Sequence, residues 1–337
     1  MNIDWNSLDF QYLDTKSHIR YNWQNGRWND GTLYTEPVLN LHIGATALHY
    51  GQSAFEGLKA FGCKDGKVRL FRPDENAARM ASTAKRLMMP VVPETMFIDA
   101  ISRVVSENVD YVPPYGAGGS LYIRPILFGT GPRIGVEPAD EYTFLVLVIP
   151  VGDYYKGGLT PVSATVIDGY DRSAPQGVGH VKVAGNYAAS LEPKHVAQQH
   201  GYPINLFLDA RENRYVDEFG TANFIAITQD GVYVTPDSSS ILPSVTNKTL
   251  IALAEDAGIP VERRRIPFDE IETFAEVAAC GTAVVITPIN RIVRGDRIID
   301  VGSREGCGPI CERLYHNVRG IQVGELPDEH GWTRETS

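Results

Sequence analysis

One lysine stands in a segment of small and apolar residues, HVKVAGNYAAS, at residues 180–190. An ordinary lysine amine has a pKa of ~10.4, so it is protonated at neutral pH and is not nucleophilic. Burial among apolar groups lowers that pKa, which is how lysines that form Schiff bases with carbonyl compounds are made. Lys182 is therefore either a reactive amine or a lysine at a strand or loop end with its ammonium in water. The segment alone favours the second interpretation.

Two adjacent carboxylates, Asp217 and Glu218, interrupt a strand-forming region in NRYVDEFGTANF. In this stretch alone, a turn residue on the surface is the commoner case. If Glu218 faces inward, it needs a cationic partner or a hydrogen-bond donor. A protonated pyridine nitrogen would serve as that partner.

A phosphate could be bound by two features of the chain. Ser244 and Thr246 in ILPSVTNKTL are both good caps for the helix that follows, and free backbone N–H groups at a helix start bind anions. Arg79 falls on the polar side of an earlier helix with Asn76, Thr83 and Arg86, so a solvated arginine is the default there. Its guanidinium fork would nevertheless suit a phosphate.

A third candidate is the tripeptide Gly281-Thr282-Ala283 in ACGTAVVITP. We expect it between a helix and a strand, where its backbone amides and the threonine hydroxyl could bind a carboxylate or a phosphate. An ordinary tight turn is about as probable on local grounds. The spacing shows no Ser-His-Asp arrangement, and the scattered histidines give no basis for a metal site.

Composition limits the classes of function. The chain has 337 residues, enough for two domains, and a formal net charge of −10, which argues against nucleic acid or an anionic membrane surface as partner. No segment approaches the ~20 apolar residues that span a bilayer, and the first residues lack the apolar core of a signal peptide. We therefore expect a cytoplasmic protein.

The cysteine content argues against a disulfide scaffold, because the chain has only four cysteines. Cys307 and Cys311 are four residues apart, so a helix would place them on one face. With no histidine or cysteine cluster near them, a metal site is not expected. We predict two buried free thiols.

The elements that position these residues are strands in hairpins mixed with helices. In the first half we predict a hairpin over 58–71 turned at Asp65-Gly66, helices from 72 and from 93, and two long strands, the second (141–151) buried on both faces. The second half shows a strand over 205–210, a hairpin turned at Asp230-Gly231, a helix over 247–258, a strand over 283–289 and a last helix. A doubly wound dinucleotide fold is disfavoured, since no G-x-G-x-x-G follows a strand. We place the domains at 1–150 and 162–337, joined by a linker at 151–161 and with Lys182 in the second.

Taken together, the motifs resemble the branched-chain amino acid aminotransferases of the class IV pyridoxal-phosphate enzymes. In chain order they are ALHYGQSAFEGLKAF, the helix with Arg79, SLYIRP, the linker, KVAGNYAASL, DEFGTANF, ILPSVT and CGTA. Eight short motifs in the right order are highly specific and outweigh the local interpretations. The resemblance implies an α+β fold of type IV, like D-amino acid aminotransferase, with pyridoxal 5′-phosphate at the interface of two domains. It also implies a homodimer whose second subunit helps to close the pocket.

The resemblance assigns roles at the cofactor. Lys182 would form the Schiff base and shuttle a proton, Tyr187 would hydrogen-bond the ring hydroxyl oxygen, and Glu218 would pair with the pyridine nitrogen. Arg79 would bind the phosphate, helped by the amides of Val245 and Thr246 at the helix start and by Thr282.

The resemblance also assigns the substrate site. The amides of Thr282 and Ala283 would bind the substrate carboxylate. The side-chain pocket would be lined by Tyr50, Phe55 and Tyr122, with Arg124 at its polar edge. One methylene is worth only ~1–3 kcal/mol of discrimination, so such a pocket should accept L-leucine, L-isoleucine and L-valine, with 2-oxoglutarate and glutamate as the other pair.

Two alternatives remain. D-amino acid aminotransferases, (R)-amine transaminases and aminodeoxychorismate lyases share the lysine and the carboxylate, although LYIRP and FEGLKAF favour the branched-chain group. A catalytically silent scaffold is disfavoured by the intact Lys182, Glu218 and Arg79.

Overall fold

The structure is a computed structural model that describes residues 3–152, 159–302 and 306–336. Residues 153–158 of the predicted linker lie outside this description. The chain divides into two compact units. The first comprises the described residues of Met1–Tyr154, Val181–Gly185 and Gly320–Ser337, and the second those of Tyr155–His180 and Asn186–Arg319.

This division differs from the predicted domains in two places. Lys182 belongs to the first unit, because Val183 forms a β-bridge with Ala54. The end of the chain also belongs to the first unit, because its last strand pairs with the strand Val68–Phe71. Both pairings join segments distant in sequence, which local patterns do not reveal.

The first unit contains an antiparallel sheet that is nine-stranded within the described residues. Its strands are β1 His18–Gln24, β2 Arg27–Trp28, β3 Thr32–Tyr34, β4 Ser53–Phe55, β5 Leu58–Gly62, β6 Val68–Phe71, β7 Ser120–Gly129, β8 Tyr142–Val151 and β18 Thr333–Glu335. They lie in the order β18-β6-β5-β7-β8-β1-β2, with β3 paired to β1 and β4 paired to β7. The predicted hairpin is confirmed: β5 and β6 pair around Gly66, whose φ of 81° suits glycine. The predicted burial of β8 on both faces is also confirmed.

Two long helices cover this sheet. The helices of the first half are α1 Thr46–Tyr50, α2 Pro73–Arg86 and α3 Glu94–Glu107, with 3-10 turns at Trp5–Ser7 and Val109–Tyr111. Helix α2 starts with a proline and two acidic residues and ends with two basic ones, which suits the helix dipole. Met80 of α2, Phe97 and Ile101 of α3 and Phe144 of β8 lie fully buried in one core.

The second unit is built on a sheet that closes on itself. Its strands are β9 Val162–Val166, β10 Ile204–Leu208, β11 Val216–Phe219, β12 Ala222–Ile227, β13 Tyr233–Pro236, β14 Val261–Arg264, β15 Glu276–Gly281, β16 Val285–Arg294 and β17 Arg297–Asp300. The order β11-β10-β9-β16-β15-β12 is closed by pairing of β12 with β11. The resulting barrel encloses a core that includes Leu206, Phe224 and Ile292. The predicted hairpin at Asp230-Gly231 joins β12 and β13.

The helices of the second half are α4 Ala184–Ala189, α5 Leu191–Gln199, α6 Val245–Asp256 and α7 Pro309–Gln322, with a 3-10 turn at Phe268–Thr273. Among the described helices, none has the length and apolar composition to cross a membrane. Cys307 precedes α7 and is half-exposed, whereas Cys311 is buried, so the prediction of two buried thiols is correct for Cys311 alone.

Candidate active site

The backbone of Lys182 is held by two elements of the first unit. Its N–H donates to Thr83 Oγ1 of α2 at 3.0 Å, and its carbonyl oxygen accepts from the N–H of Phe55 in β4 at 3.2 Å. The half-buried side chain places Nζ 4.8 Å from the centroid of the Phe55 ring. Hydrogen bonds thus fix the backbone of Lys182, and its side chain extends beside the Phe55 ring instead of lying at a free loop end.

The surroundings of Lys182 prepare its amine for reaction. Burial lowers the pKa of Lys182 to about 8, and the nearby guanidinium groups of Arg79 and Arg124 act in the same direction. Glu56 and Tyr122 oppose this effect by raising the pKa. A large fraction of the amine is therefore unprotonated near pH 8, which a nucleophile requires.

Arg79 does not point into solvent. Its Nε and Nη2 donate to the two oxygens of the fully buried Glu56, each at 2.8 Å, and Asn76 Nδ2 donates to Glu56 Oε2 at 2.7 Å. The local prediction of a solvated polar face on α2 is wrong for Arg79 and for the buried Asn76 and Thr83. It is correct for Arg86, which is exposed. Sequence reasoning missed Glu56, although an acidic residue inside the apolar run SAFEGLKAF is a usable signal.

Aromatic and cationic side chains of β4 and β7 lie together beside this amine. Arg124 Nη2 donates to the Tyr122 hydroxyl at 3.0 Å, and its guanidinium carbon lies 4.7 Å from the Phe55 ring centroid. A Cβ at Gly57 would come within 2.2 Å of the Tyr122 hydroxyl, so the tyrosine needs a glycine at this position. Tyr50 is located elsewhere, exposed at the end of α1, where its hydroxyl donates to the carbonyl of Ile134.

In the second unit, Glu218 faces inward from β11. It is 4% exposed, its carboxylate accepts from the N–H of Leu242 at 3.0 Å and from Asn223 Nδ2 at 2.8 Å, and its Oε1 forms an ion pair with Arg172 Nη2 at 2.6 Å. Burial raises the pKa of Glu218 to about 7, against the lowering effect of Arg172. Sequence reasoning missed Arg172, because the loop residues around it give no periodic signal.

The other predicted cofactor residues of the second unit lie at element boundaries. Val245 and Thr246 open α6 and are buried, but the cap is Ser244, whose hydroxyl accepts from the N–H of Asn247. The prediction of Thr246 as a second cap is therefore wrong. Tyr187 lies half-buried in α4.

Thr282 and Ala283 form a turn between the strands β15 and β16, not between a helix and a strand as predicted. Both residues are half-buried, and β16 begins at Val285, which has a φ of 69°. A β-branched residue in this left-handed region is a backbone outlier, and such strain is concentrated at functional sites.

The chain is similar to known aminotransferases in sequence and in fold. Residues 53–292 match the model of the Amino-transferase class IV family. The branched-chain-amino-acid aminotransferase of Haemophilus influenzae is 45% identical over 98% of this chain and 98% of its own. The crystal structure of the Escherichia coli branched-chain amino acid aminotransferase has a TM-score of 0.77 and 29% identity, and the match covers 94% of this chain and 99% of that one.

A third relative shows the cofactor. The solved T.th. branched-chain amino acid aminotransferase, complexed with N-(5′-phosphopyridoxyl)-L-glutamate, has a TM-score of 0.78 and 26% identity, and the match covers 94% of this chain and 98% of that one. The fold and the site thus define a class IV aminotransferase. The chain belongs to this family, and the predicted family, fold type, transaminase activity and pyridoxal phosphate cofactor are confirmed.

The residues present fit this cofactor. In the first unit, Lys182 is an amine of lowered pKa, as the aldehyde needs, and Arg79 is a cation suited to the phosphate. In the second unit, Glu218 is a buried carboxylate suited to the pyridine nitrogen, and the start of α6 has the backbone N–H groups that suit a phosphate.

Proposed function

We propose that this chain transfers the amino group of L-leucine, L-isoleucine and L-valine to 2-oxoglutarate, giving branched 2-oxo acids and L-glutamate. The names of the relatives at high identity support the branched-chain substrates, and the phosphopyridoxyl-glutamate complex of one relative supports glutamate. The observation that carries the proposal is the amine of Lys182, anchored by Thr83 and Phe55 and lowered in pKa to about 8.

Bound pyridoxal phosphate supplies an electron sink for the carbanion that forms at the substrate Cα. Lys182 would hold the cofactor through a Schiff base, formed from its amine and the aldehyde with loss of water, and would move the proton at the substrate Cα. Glu218 would pair with the pyridine nitrogen and balance its charge. Tyr187 would donate to the ring hydroxyl oxygen.

The remaining groups bind and orient. Arg79 would bind the phosphate, together with the N–H groups of Val245 and Thr246 and with Thr282. The N–H groups of Thr282 and Ala283 would bind the substrate carboxylate. These assignments rest on the resemblance of the motifs and, for every residue except Arg79, on a position at the start of α6 or in the turn between β15 and β16.

The substrate side chain would lie among Phe55, Tyr122 and Arg124. The two aromatic rings favour an aliphatic side chain through apolar burial, worth ~0.8 kcal/mol per methylene. Arg124 and the Tyr122 hydroxyl, which are hydrogen-bonded to each other, are the groups in this cluster that would donate hydrogen bonds to the γ-carboxylate of glutamate.

Lys182→Ala tests the proposal directly. We expect the wild-type chain, incubated with pyridoxal phosphate, to be yellow, to become covalently labelled at Lys182 on borohydride treatment, and to convert L-leucine and 2-oxoglutarate. The variant should lose the label and lose activity by about 10³-fold or more, since the nucleophile is absent. Lys194→Ala, an exposed lysine of α5, is the matched control and should retain both.

Substrate configuration separates this proposal from its relatives in the same fold. Activity with D-alanine but not with L-leucine would contradict the branched-chain assignment. A wild-type chain that stays colourless with pyridoxal phosphate would indicate a silent scaffold.

A homodimer is part of the proposal. It is supported by a cluster of exposed apolar side chains in the first unit, which we call the α1 surface: Ile43, Leu48, Tyr50, Ile134 and Val136. The segments that carry them are held together, because Arg133 N–H donates to the carbonyl of Gly44 at 2.8 Å. The predicted cytoplasmic location stays a prediction, which fractionation of cells producing the chain would check.

A further inference from the structure

Arg172 is a buried cation with three acceptors in the second unit. It is 9% exposed, its Nη2 donates to the carbonyls of Gly179 at 2.7 Å and of Ser240, and the same atom lies 2.6 Å from Glu218 Oε1 in an ion pair. A Cβ at Gly179 would come within 2.0 Å of the Ser240 carbonyl oxygen. Only glycine therefore allows the two carbonyls to converge on one guanidinium.

The Glu218 carboxylate is oriented from three segments. Arg172 approaches it from the loop after β9, the N–H of Leu242 from the segment before α6, and Asn223 from β12, where it is the register partner of Glu218. Arg172 is the charged donor among these three. Charged donors hold a carboxylate about twice as strongly as neutral ones.

A second buried carboxylate precedes Glu218 in β11. Asp217 is 2% exposed, its Oδ2 accepts from Ser240 Oγ at 2.7 Å, and its Oδ1 has no hydrogen-bond partner among the described residues. Burial raises the pKa of Asp217, Arg172 lowers the pKa values of both carboxyl groups, and Asp217 raises the pKa of Glu218. Ser240 links the two groups, because its carbonyl accepts from Arg172 and its hydroxyl donates to Asp217.

The thiol of Cys280 also borders this cluster from β15. Burial raises its pKa, and Glu218 adds to that effect, so the thiol stays neutral. The charges that act on Glu218 from its packed neighbours in this unit are those of Arg172 and Asp217.

We propose that Arg172 is a positioning residue that keeps the Glu218 carboxylate ionised and oriented toward the pyridine nitrogen of the cofactor, and that Asp217 acts against it. The inference rests on the proposed function for the role of Glu218. A carboxylate balances a protonated pyridine only while it is ionised, because a neutral acid contributes no opposite charge. Arg172 therefore controls the cofactor without touching it.

The first test uses the apoenzyme, so that its result does not depend on catalysis. Glutamate labelled with ¹³C at the side-chain carboxyl is incorporated, Glu218 is assigned by the loss of its signal in Glu218→Gln, and the signal is titrated by NMR. Arg172→Gln should raise the Glu218 pKa by about one unit or more, and Asp217→Asn should lower it by about one unit, since each removes one charge beside a buried acid. Arg291→Gln, which breaks an exposed pair with Asp300, is the control and should shift nothing.

The second test uses the holoenzyme with pyridoxal phosphate labelled with ¹⁵N in the ring. We expect the nitrogen signal of Arg172→Gln at pH 8 to move toward that of an unprotonated pyridine, with kcat for L-leucine lowered about twofold or more and KM little changed, because a pKa raised by one unit from about 7 leaves half of the Glu218 carboxyl groups protonated at pH 8. Arg172→Lys should recover part of kcat, because it restores the charge but not the fork that reaches several acceptors.

The results separate the two proposals. The inference is overturned, whatever the activity, if the Glu218 pKa in Arg172→Gln and Asp217→Asn equals the pKa in the control Arg291→Gln. It is also overturned if the two variants shift that pKa in the same direction. If Arg172→Gln does not fold, Asp217→Asn alone is the test. A lowered Glu218 pKa then supports the inference, and an unchanged one overturns it. If the wild-type chain does not convert L-leucine, the proposed function fails, while the apoenzyme titration still judges the charge coupling.

Discussion

At the scale of single residues, the amine of Lys182 is governed by its burial and by the charges around it. Burial is the main cause of its lowered pKa, and the guanidinium groups of Arg79 and Arg124 act in the same direction. Glu56 beside Arg79 reduces this effect, so the pKa reaches about 8 rather than a lower value.

This pKa predicts how fast the cofactor binds covalently. Attack on the aldehyde requires the unprotonated amine, so the rate with saturating pyridoxal phosphate should rise about tenfold per pH unit below pH 8 and level off above it. Stopped-flow absorbance of the apoenzyme from pH 6 to pH 9.5 measures it. A rate that keeps rising to pH 10, as for an ordinary lysine, would contradict the assignment.

At the scale of elements, Glu56 and Arg79 join helix α2 to the connection between β4 and β5. The side chain of Glu56 is 0% and that of Arg79 10% exposed, so removing one partner leaves a buried, uncompensated charge. Such a change costs ~3–5 kcal/mol. We expect Glu56→Ala to lower the free energy of unfolding of the apoenzyme by about this amount, measured by urea denaturation.

The matched control is Glu335→Ala, which breaks the Lys67–Glu335 pair. Both of its side chains are about half-exposed, so the loss should stay below ~1 kcal/mol. Equal losses in the two variants would show that the Glu56–Arg79 pair is screened by water and does not anchor α2.

The sequence predicts elements better than it predicts their buried polar faces. The hairpin at Gly66 and helix α2 follow from local signals, a turn dipeptide and a proline at the helix start. The inward direction of Arg79 does not, because helical periodicity assigns polar residues to the solvent side and the partner, Glu56, lies in another element.

The prediction of a helix before Gly281, where the structure has strand β15, is wrong for a related reason. Its alanines in EVAAC resemble a helix, yet β12 and β16 pair with it on both sides. Pairing across the sheet overrides local preference there. The carboxylate of Glu218 was predicted from its motif, whereas Arg172 required the folded backbone that brings Gly179 and Ser240 to it.

At the scale of the whole molecule, the α1 surface predicts the assembly. Ile43 is 83%, Ile134 72% and Val136 87% exposed, and adjacent exposed apolar side chains mark protein interaction sites. The homodimer of the proposal would bury them against a second copy. Burial removes apolar area from water, which favours association.

We therefore expect the wild-type chain to elute as a dimer in size-exclusion chromatography with light scattering, and Ile43→Glu combined with Val136→Glu to elute as a monomer at low micromolar concentration. The paired charges would have to be desolvated without partners in the interface, which is unfavourable.

Tyr50 belongs to the same surface, and the resemblance assigns it to the substrate pocket. The monomeric variant should therefore also raise KM for L-leucine, because Tyr50 could then reach no pocket of a second subunit. Val38→Glu, an exposed apolar position outside the α1 surface, serves as control. A charged α1 surface that still dimerises and keeps its KM would place the interface elsewhere on the chain.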